Sequence, residues 1–238
     1  SYCDEQSRVM MCTFRGDPDD DIPGKWRAKV LNSTNQIDDA ANVYLCVSAM
    51  RRNARGEFRR RKENWAGGIL LMIDDVGDGP GAKFPLSVLD PLPPTAMVET
   101  SERNWQATYF FDRLVTDQEK FDALIRAFIN RQFLGEDTGQ AGINRVFRPP
   151  GGVNAKPKHM RDGRQWRVRC TEWRPERVYS VEQIAEAFGL TLVQRRPPEK
   201  LHHPETAAER VRAFRDVRAT LRAANMLKSE EADLSGWI

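Results

Sequence analysis

The run "GGILLMIDDV", residues 67–76, constrains the fold more than any other stretch of the chain. It is apolar at successive positions with little alternation, the pattern of a strand buried on both faces. It then ends in two adjacent carboxylates, Asp74 and Asp75, with Asp78 following after a glycine. Taken alone, the pair fits either an acidic turn at a strand end or a divalent-metal site on a rigid support. Adjacent strand residues point to opposite faces. Both carboxylates can therefore serve one site only if the strand twists or ends there, and Val76-Gly77 allows such an ending.

The flanking segments supply a sheet for this strand. "NVYLCVSAM" (42–50) is rich in β-branched and aromatic residues and predicts a strand. Two more are predicted at about 96–100 and 105–112, with "SERN" (101–104) as the hairpin turn between them. "INRVFRPPGGVN" (143–154) reads as a short strand and a Pro/Gly turn, and "QWRVRCTEW" (165–173) as a further strand. The clearest helix starts at Thr116, where Glu119 three residues on completes a capping box. Phe121, Leu124, Ile125 and Phe128 then follow at helical spacing. "SVEQIAEAFGL" (180–190) predicts a capped helix ending at Gly189, and residues 204–225 a longer, Arg-crowded one. The fold class is α+β. Residues 1–175 are expected to form a mixed or antiparallel sheet flanked by helices, and residues 176–238 a small helical accessory region.

Bulk composition narrows the function. The chain has 238 residues, 40% of them apolar, enough for one large core. No run approaches the roughly 18 apolar residues of a membrane span, so no membrane partner is expected. "SYCDEQSRVMMC" lacks a basic n-region and an apolar stretch, so no secretory leader is expected either. None of the four cysteines forms a CxxC pair or stands near a histidine at zinc spacing, which argues against a structural zinc. Cys3 and Cys12 could pair in an oxidising compartment, but reduced thiols are expected. The net charge is only +3, yet seven basic groups lie within residues 51–62, namely Arg51, Arg52, Arg55, Arg59, Arg60, Arg61 and Lys62. Such local basicity suits a polyanion bound on one face.

Two further segments carry chemistry. "GEDTGQAGINRVFRPPGGVNAKPKH" (135–159) offers a third carboxylate, Asp137. It also offers Arg145, Arg148, Lys156, Lys158 and His159 around a tight turn, with Asn154 among them. That set suits a triphosphate, which Arg binds bidentately and Lys as a point charge. "ETSERNWQATYFF" (99–111) places Ser101, Asn104 and Gln106 at a strand mouth, where polar groups can orient a sugar or phosphate.

In this order the three segments resemble the catalytic domain of the archaeo-eukaryotic primase superfamily, in its plasmid and phage branch of RepB-like primases and primase-polymerases. The resemblance spans roughly residues 40–160. It rests on an "hhhDD" strand (Asp74, Asp75), on a "TS..N.Q/H" segment (Thr100, Ser101, Asn104, Gln106), and on "D…R…R.PG…N.K" (Asp137, Arg145, Arg148, Pro150, Gly151, Asn154, Lys156). It implies an RRM-like catalytic domain that makes primers on a single-stranded DNA template from NTPs or dNTPs. It further implies two Mg²⁺ or Mn²⁺ ions on Asp74, Asp75 and Asp137, a triphosphate held by Arg145, Arg148 and Lys156, and the 51–62 loop on template phosphates. A replicative helicase, fused or separate, is the implied partner, although no GxxxxGK[ST] occurs here. The expected compartment is the cytoplasm of a bacterial host cell. Two departures stand out. Gln106 occupies a place where many primases have histidine, and the carboxylates are adjacent where relatives outside the branch use DxD. A non-catalytic replication initiator on the same fold is the alternative. A relaxase fits less well, because His159, His202 and His203 do not form an apolar-flanked HxH.

Overall fold

The computed structural model describes residues 6–20, 22–130 and 142–193. The strands are β1 (Ser7–Phe14), β2 (Lys29–Val30), β3 (Asn42–Arg51), β4 (Trp65–Gly77), β5 (Ala96–Ser101), β6 (Asn104–Val115), β7 (Val146–Phe147), β8 (Val153–Asn154), β9 (Trp166–Arg167), β10 (Arg169–Trp173) and β11 (Val178–Tyr179). The helices are α1 (Gln118–Asn130) and α2 (Val181–Ala187). The main path of the sheet runs β10-β5-β6-β4-β3-β1-β2, with each neighbouring pair antiparallel. β7 adds to β3, and β11 runs parallel to β6. The class is α+β with a largely antiparallel sheet, as the sequence predicts. β4 lies centrally, and Leu70 to Ile73 are no more than 3% exposed. The absence of alternation in that run therefore has its physical cause in burial on both faces.

Helix α1 buries the predicted stripe: Phe121, Leu124, Ile125 and Phe128 are at most 4% exposed. Each such side chain contributes roughly 1.5–3 kcal/mol by leaving water. The Phe121 ring stacks on Trp65 at 6.0 Å and meets Phe111 edge-on. The double glycine of β4 makes this approach feasible, since a Cβ on Gly68 would stand 2.9 Å from the Phe121 ring. The helix start differs by one residue from expectation. Gln118 is the first helical residue, so Asp117 and not Thr116 is the cap, and its Oδ1 accepts from Lys120 N at 3.0 Å.

Helix α2 is capped as predicted, by a Ser180–Gln183 capping box, and Gly189 takes a φ of 60° just past its end. Val181, Ile184 and Phe188 are buried, with Phe188 against Phe128 and Tyr109. The stretch after residue 175 thus opens with β11 and α2, both part of the sheet's own core, and that packing continues to Leu192. A boundary at 175 would cut through this core. β1, which the sequence pattern did not reveal, inserts between β3 and β2 and buries Met10, Met11 and Cys12. The expected helix over 204–225, Cys3 and Asp137 lie outside the described residues.

Candidate active site at the end of the central strand

β4 does not simply stop after its apolar run. Ile73 pairs with Ala107 and Val76 with Trp105, so three steps on β4 face two on β6. The surplus residue is a β-bulge, and within it Asp75 adopts a left-handed φ of 55°. A non-glycine residue rarely takes this conformation. Here the backbone is pinned, because Asp75 O accepts from Lys83 N at 2.7 Å and from Phe84 N at 3.1 Å. The bulge cancels the period-2 alternation. Asn104 and Gln106, two apart on β6, share one face of the sheet. Asn104 Nδ2 donates to Asp75 Oδ1 at 3.1 Å, and the Gln106 side chain hydrogen-bonds Asp74. Both carboxylates therefore lie over the same face. Asp78 is exposed and pairs instead with Arg103 at 3.3 Å.

The electrostatics follow from that crowding. Burial first, and then the neighbouring Asp75 charge, push the Asp74 carboxyl above its ordinary range, while Arg145 and Gln106 oppose the shift. Gln106 has a second bond, its Oε1 accepting from Arg148 N at 2.9 Å. An amide can do both because it carries a donor and an acceptor on one plane. Gln106 thus ties the Asp74 strand to the basic turn.

Arg148 is only 4% exposed, and its guanidinium is largely committed to protein. It donates to Asn42 Oδ1, Val153 O and Asn154 Oδ1, each at 3.0 Å, and lies 4.3 Å over the Tyr44 ring. Asn154 in turn donates to Thr100 O at 2.8 Å. Arg148 and Asn154 therefore organise the 148–156 turn against β3 and β5. Burial lowers the Arg148 pKa, as desolvation of a cation requires.

Lys156 points elsewhere than its sequence neighbours. Its Nζ is 2.9 Å from Asp19 Oδ1, in the acidic segment "DPDD". Lys156, with Lys158 and Arg148 nearby, holds the Asp19 carboxyl below its ordinary range. The loop itself is gathered by Lys25, 9% exposed, whose ammonium donates to the carbonyls of Asp17, Pro18 and Asp20. Near Asp75, a Cβ on Gly81 would stand 3.0 Å from Asn104 Nδ2, 3.1 Å from the His159 ring and 3.5 Å from Ser101 Oγ. The glycine thus lets a polar cluster close up. Ser101 Oγ and Asn104 Oδ1 in that cluster are buried and have no hydrogen-bond partner among the described residues.

The 51–62 loop is less uniformly free than its composition suggests. Arg59 is engaged by Glu57 at 3.1 Å, and Arg61 lies 3.6 Å from Glu63. Arg60 turns inward to Asn144 O at 3.1 Å, and Arg52 lies 4.5 Å over the Phe58 ring. Arg51, Arg52, Arg55, Arg61 and Lys62 are exposed.

The structure thus brings together Asp74, Asp75, Ser101, Asn104, Gln106, Arg145, Arg148 and Asn154, with the Lys156 ammonium turned to Asp19. It adds four residues that the sequence reading did not single out: Asn42, Tyr44, Asp19 and Lys83. Asn42 opens a largely apolar strand, which was the one available signal. The ion pairs of Asp19 and Lys83 join segments that sequence alone cannot connect.

A largely antiparallel sheet thus carries paired carboxylates at a bulged central strand, beside a cation-rich turn. The family model of the RepB DNA-primase N-terminal domain matches residues 24–196, and the chain belongs to that family. Its role is accordingly of the primase type, in DNA replication. A comparison with curated proteins finds no match. Among solved structures, the AEP domain of the cyanophage S-2L primase-polymerase is similar with a TM-score of 0.50 at 12% identity, over 77% of this chain and 89% of that one. This likeness concerns the fold. Primase RepB′ aligns with a TM-score of 0.47 at 16% identity, over 93% of this chain and 64% of that one. The catalytic domain of primase RepB′ in complex with initiator DNA gives 0.46 at 17%, over 78% and 86%.

Proposed function

We propose that the chain is a DNA-dependent primase or primase-polymerase of a phage or plasmid replication system, making primers on single-stranded DNA from NTPs or dNTPs. The observation that carries this reading is the bulge that turns Asp74 and Asp75 over one face, beside Arg145 and the Arg148–Lys156 turn. The residues fit divalent cations. The Asp75 charge disfavours ionisation of Asp74, and among the described residues Asn104 Oδ1 and Ser101 Oγ are buried acceptors without partners. Among the described residues no cluster of three His, Cys, Asp or Glu could hold a metal. Asp137, outside them, is the proposed third ligand. Bound there, two Mg²⁺ or Mn²⁺ ions would activate a primer 3′-hydroxyl and neutralise the leaving pyrophosphate.

The chain's own part is positioning and electrostatics. Gln106 orients Asp74 and Asn104 orients Asp75. Arg145 and Lys156 receive the triphosphate, Lys156 once released from Asp19. Arg148 and Asn154 hold the turn that presents them, and Ser101 and Asn104 line the same hollow. The exposed cations of the 51–62 loop follow template phosphates, so binding should weaken steeply with salt. In the reaction the 3′-oxygen bonds the α-phosphorus as the bond to pyrophosphate breaks.

The test is incorporation of labelled nucleotide on single-stranded templates, with Mg²⁺ or Mn²⁺. Wild type should make metal-dependent primers, while Asp74→Ala/Asp75→Ala should make none and still bind template. Primer synthesis by the double variant would overturn the site. DNA binding by wild type without any incorporation would instead mark a non-catalytic initiator module.

A further inference from the structure

Lys83 lies outside every motif that the sequence singles out, yet it meets the centre of the site. After the bulge the chain loops out and returns so that Lys83 N and Phe84 N both donate to Asp75 O, while Gly77 N donates to Phe84 O at 2.7 Å. The backbone therefore holds residue 83 beside Asp75 whatever its side chain. The side chain then turns back, with Nζ 2.8 Å from Asp75 Oδ2. Asn104 occupies Oδ1. Both oxygens of one carboxylate thus have donors, and one donor is a full positive charge.

We propose that Lys83 is a placeholder cation. It holds Asp75 in the ion-free protein and yields that oxygen when a divalent ion arrives, which frees its ammonium for the phosphates of the bound nucleotide. This rests on the reading of Asp74 and Asp75 as metal ligands. Two carboxylates turned to one face repel, and an ammonium on one of them relieves the repulsion. A divalent ion and an ammonium cannot share the same oxygen without repelling each other, so one must leave. Lys83 is suited to leaving. Its side chain is 51% exposed, against 25% for Asp75, so the pair is only weakly held. Its charge rides on a flexible four-carbon stem, unlike the planar fork of Arg.

The experiment is Mn²⁺ binding to the nucleotide-free chain, read from the free-ion signal by electron paramagnetic resonance. Lys83→Gln should bind Mn²⁺ about fivefold more tightly than wild type. Asp75→Asn should remove the binding in either background. Unchanged or weaker binding in Lys83→Gln, with binding still sensitive to Asp75→Asn, would overturn the placeholder and leave the metal site standing. Absence of any Asp75-dependent Mn²⁺ binding, with or without nucleotide, would overturn both. Wild type supplies a measurement that needs no variant. Titration with Mg²⁺ should shift the Lys83 Cε resonance in a ¹³C spectrum, and a resonance that stays fixed while Mg²⁺ binds would reject the exchange.

Discussion

Single residues at this site trade stability for charge. Asp74 is held against burial and against Asp75, so its carboxyl titrates above the ordinary range. A carboxyl whose pKa rises on folding destabilises the fold once charged. The penalty is absent at low pH, where the group is protonated in both states, grows as pH rises from the unfolded pKa to the folded one, and is complete above it. Asp74→Asn should therefore stabilise the metal-free protein at neutral pH by about 1 kcal/mol, read by thermal unfolding, with the gain vanishing in acid. Arg148 presents the opposite case. Three of its N–H bonds go to Asn42, Val153 and Asn154. Arg148→Ala should then cost about 3 kcal/mol in denaturant unfolding, as expected for unpairing a buried network. A loss of nucleotide binding in that variant would be secondary to the loosened turn.

At the scale of elements, what could be read beforehand was local. β4 announced itself by an unbroken apolar run, α1 by a stripe at helical spacing, and α2 by a capped segment that ends at Gly189. What could not be read was pairing between distant segments. β1 lacks turn signals and alternation, and it is a strand only because β3 and β2 flank it. The joint placement of Asp74 and Asp75 depends on a left-handed φ at a non-glycine residue, which no propensity predicts. The contact of the 17–20 loop with Lys156 is of the same kind. That loop precedes residue 24, where the family match begins. On the proposed reading, a nucleotide taken up by Lys156 would displace Asp19, an exposed partner. Asp19→Asn should accordingly tighten nucleotide binding by up to about fivefold, measured by calorimetry at low salt. In β4, Gly68→Val would drive a side chain into Phe121 and should cost about 1–3 kcal/mol of stability.

Across the whole molecule, 37 basic residues nearly balance 34 acidic ones, so attraction to nucleic acid depends on where the charges stand. Several cations of the 51–62 loop are already engaged, Arg59 by Glu57 and Arg60 by a carbonyl. Arg51, Arg52 and Arg55 remain exposed, Arg52 while lying over the Phe58 ring. Replacing these three by Ala should reduce the slope of log affinity for single-stranded DNA against log salt by about 2, the sum of three phosphate contacts. Fluorescence anisotropy across a salt series would measure it. The bulge of β4 has a last consequence, for how such chains are compared. One extra residue in a strand restores in space the interval that adjacency removes in the written sequence. A search keyed to carboxylates two positions apart would discard this protein, although its two aspartates keep the same company. Deleting one residue from the bulge, by contrast, would remove one of the aspartates themselves, because Asp74 and Asp75 are the two residues that face Gln106 alone.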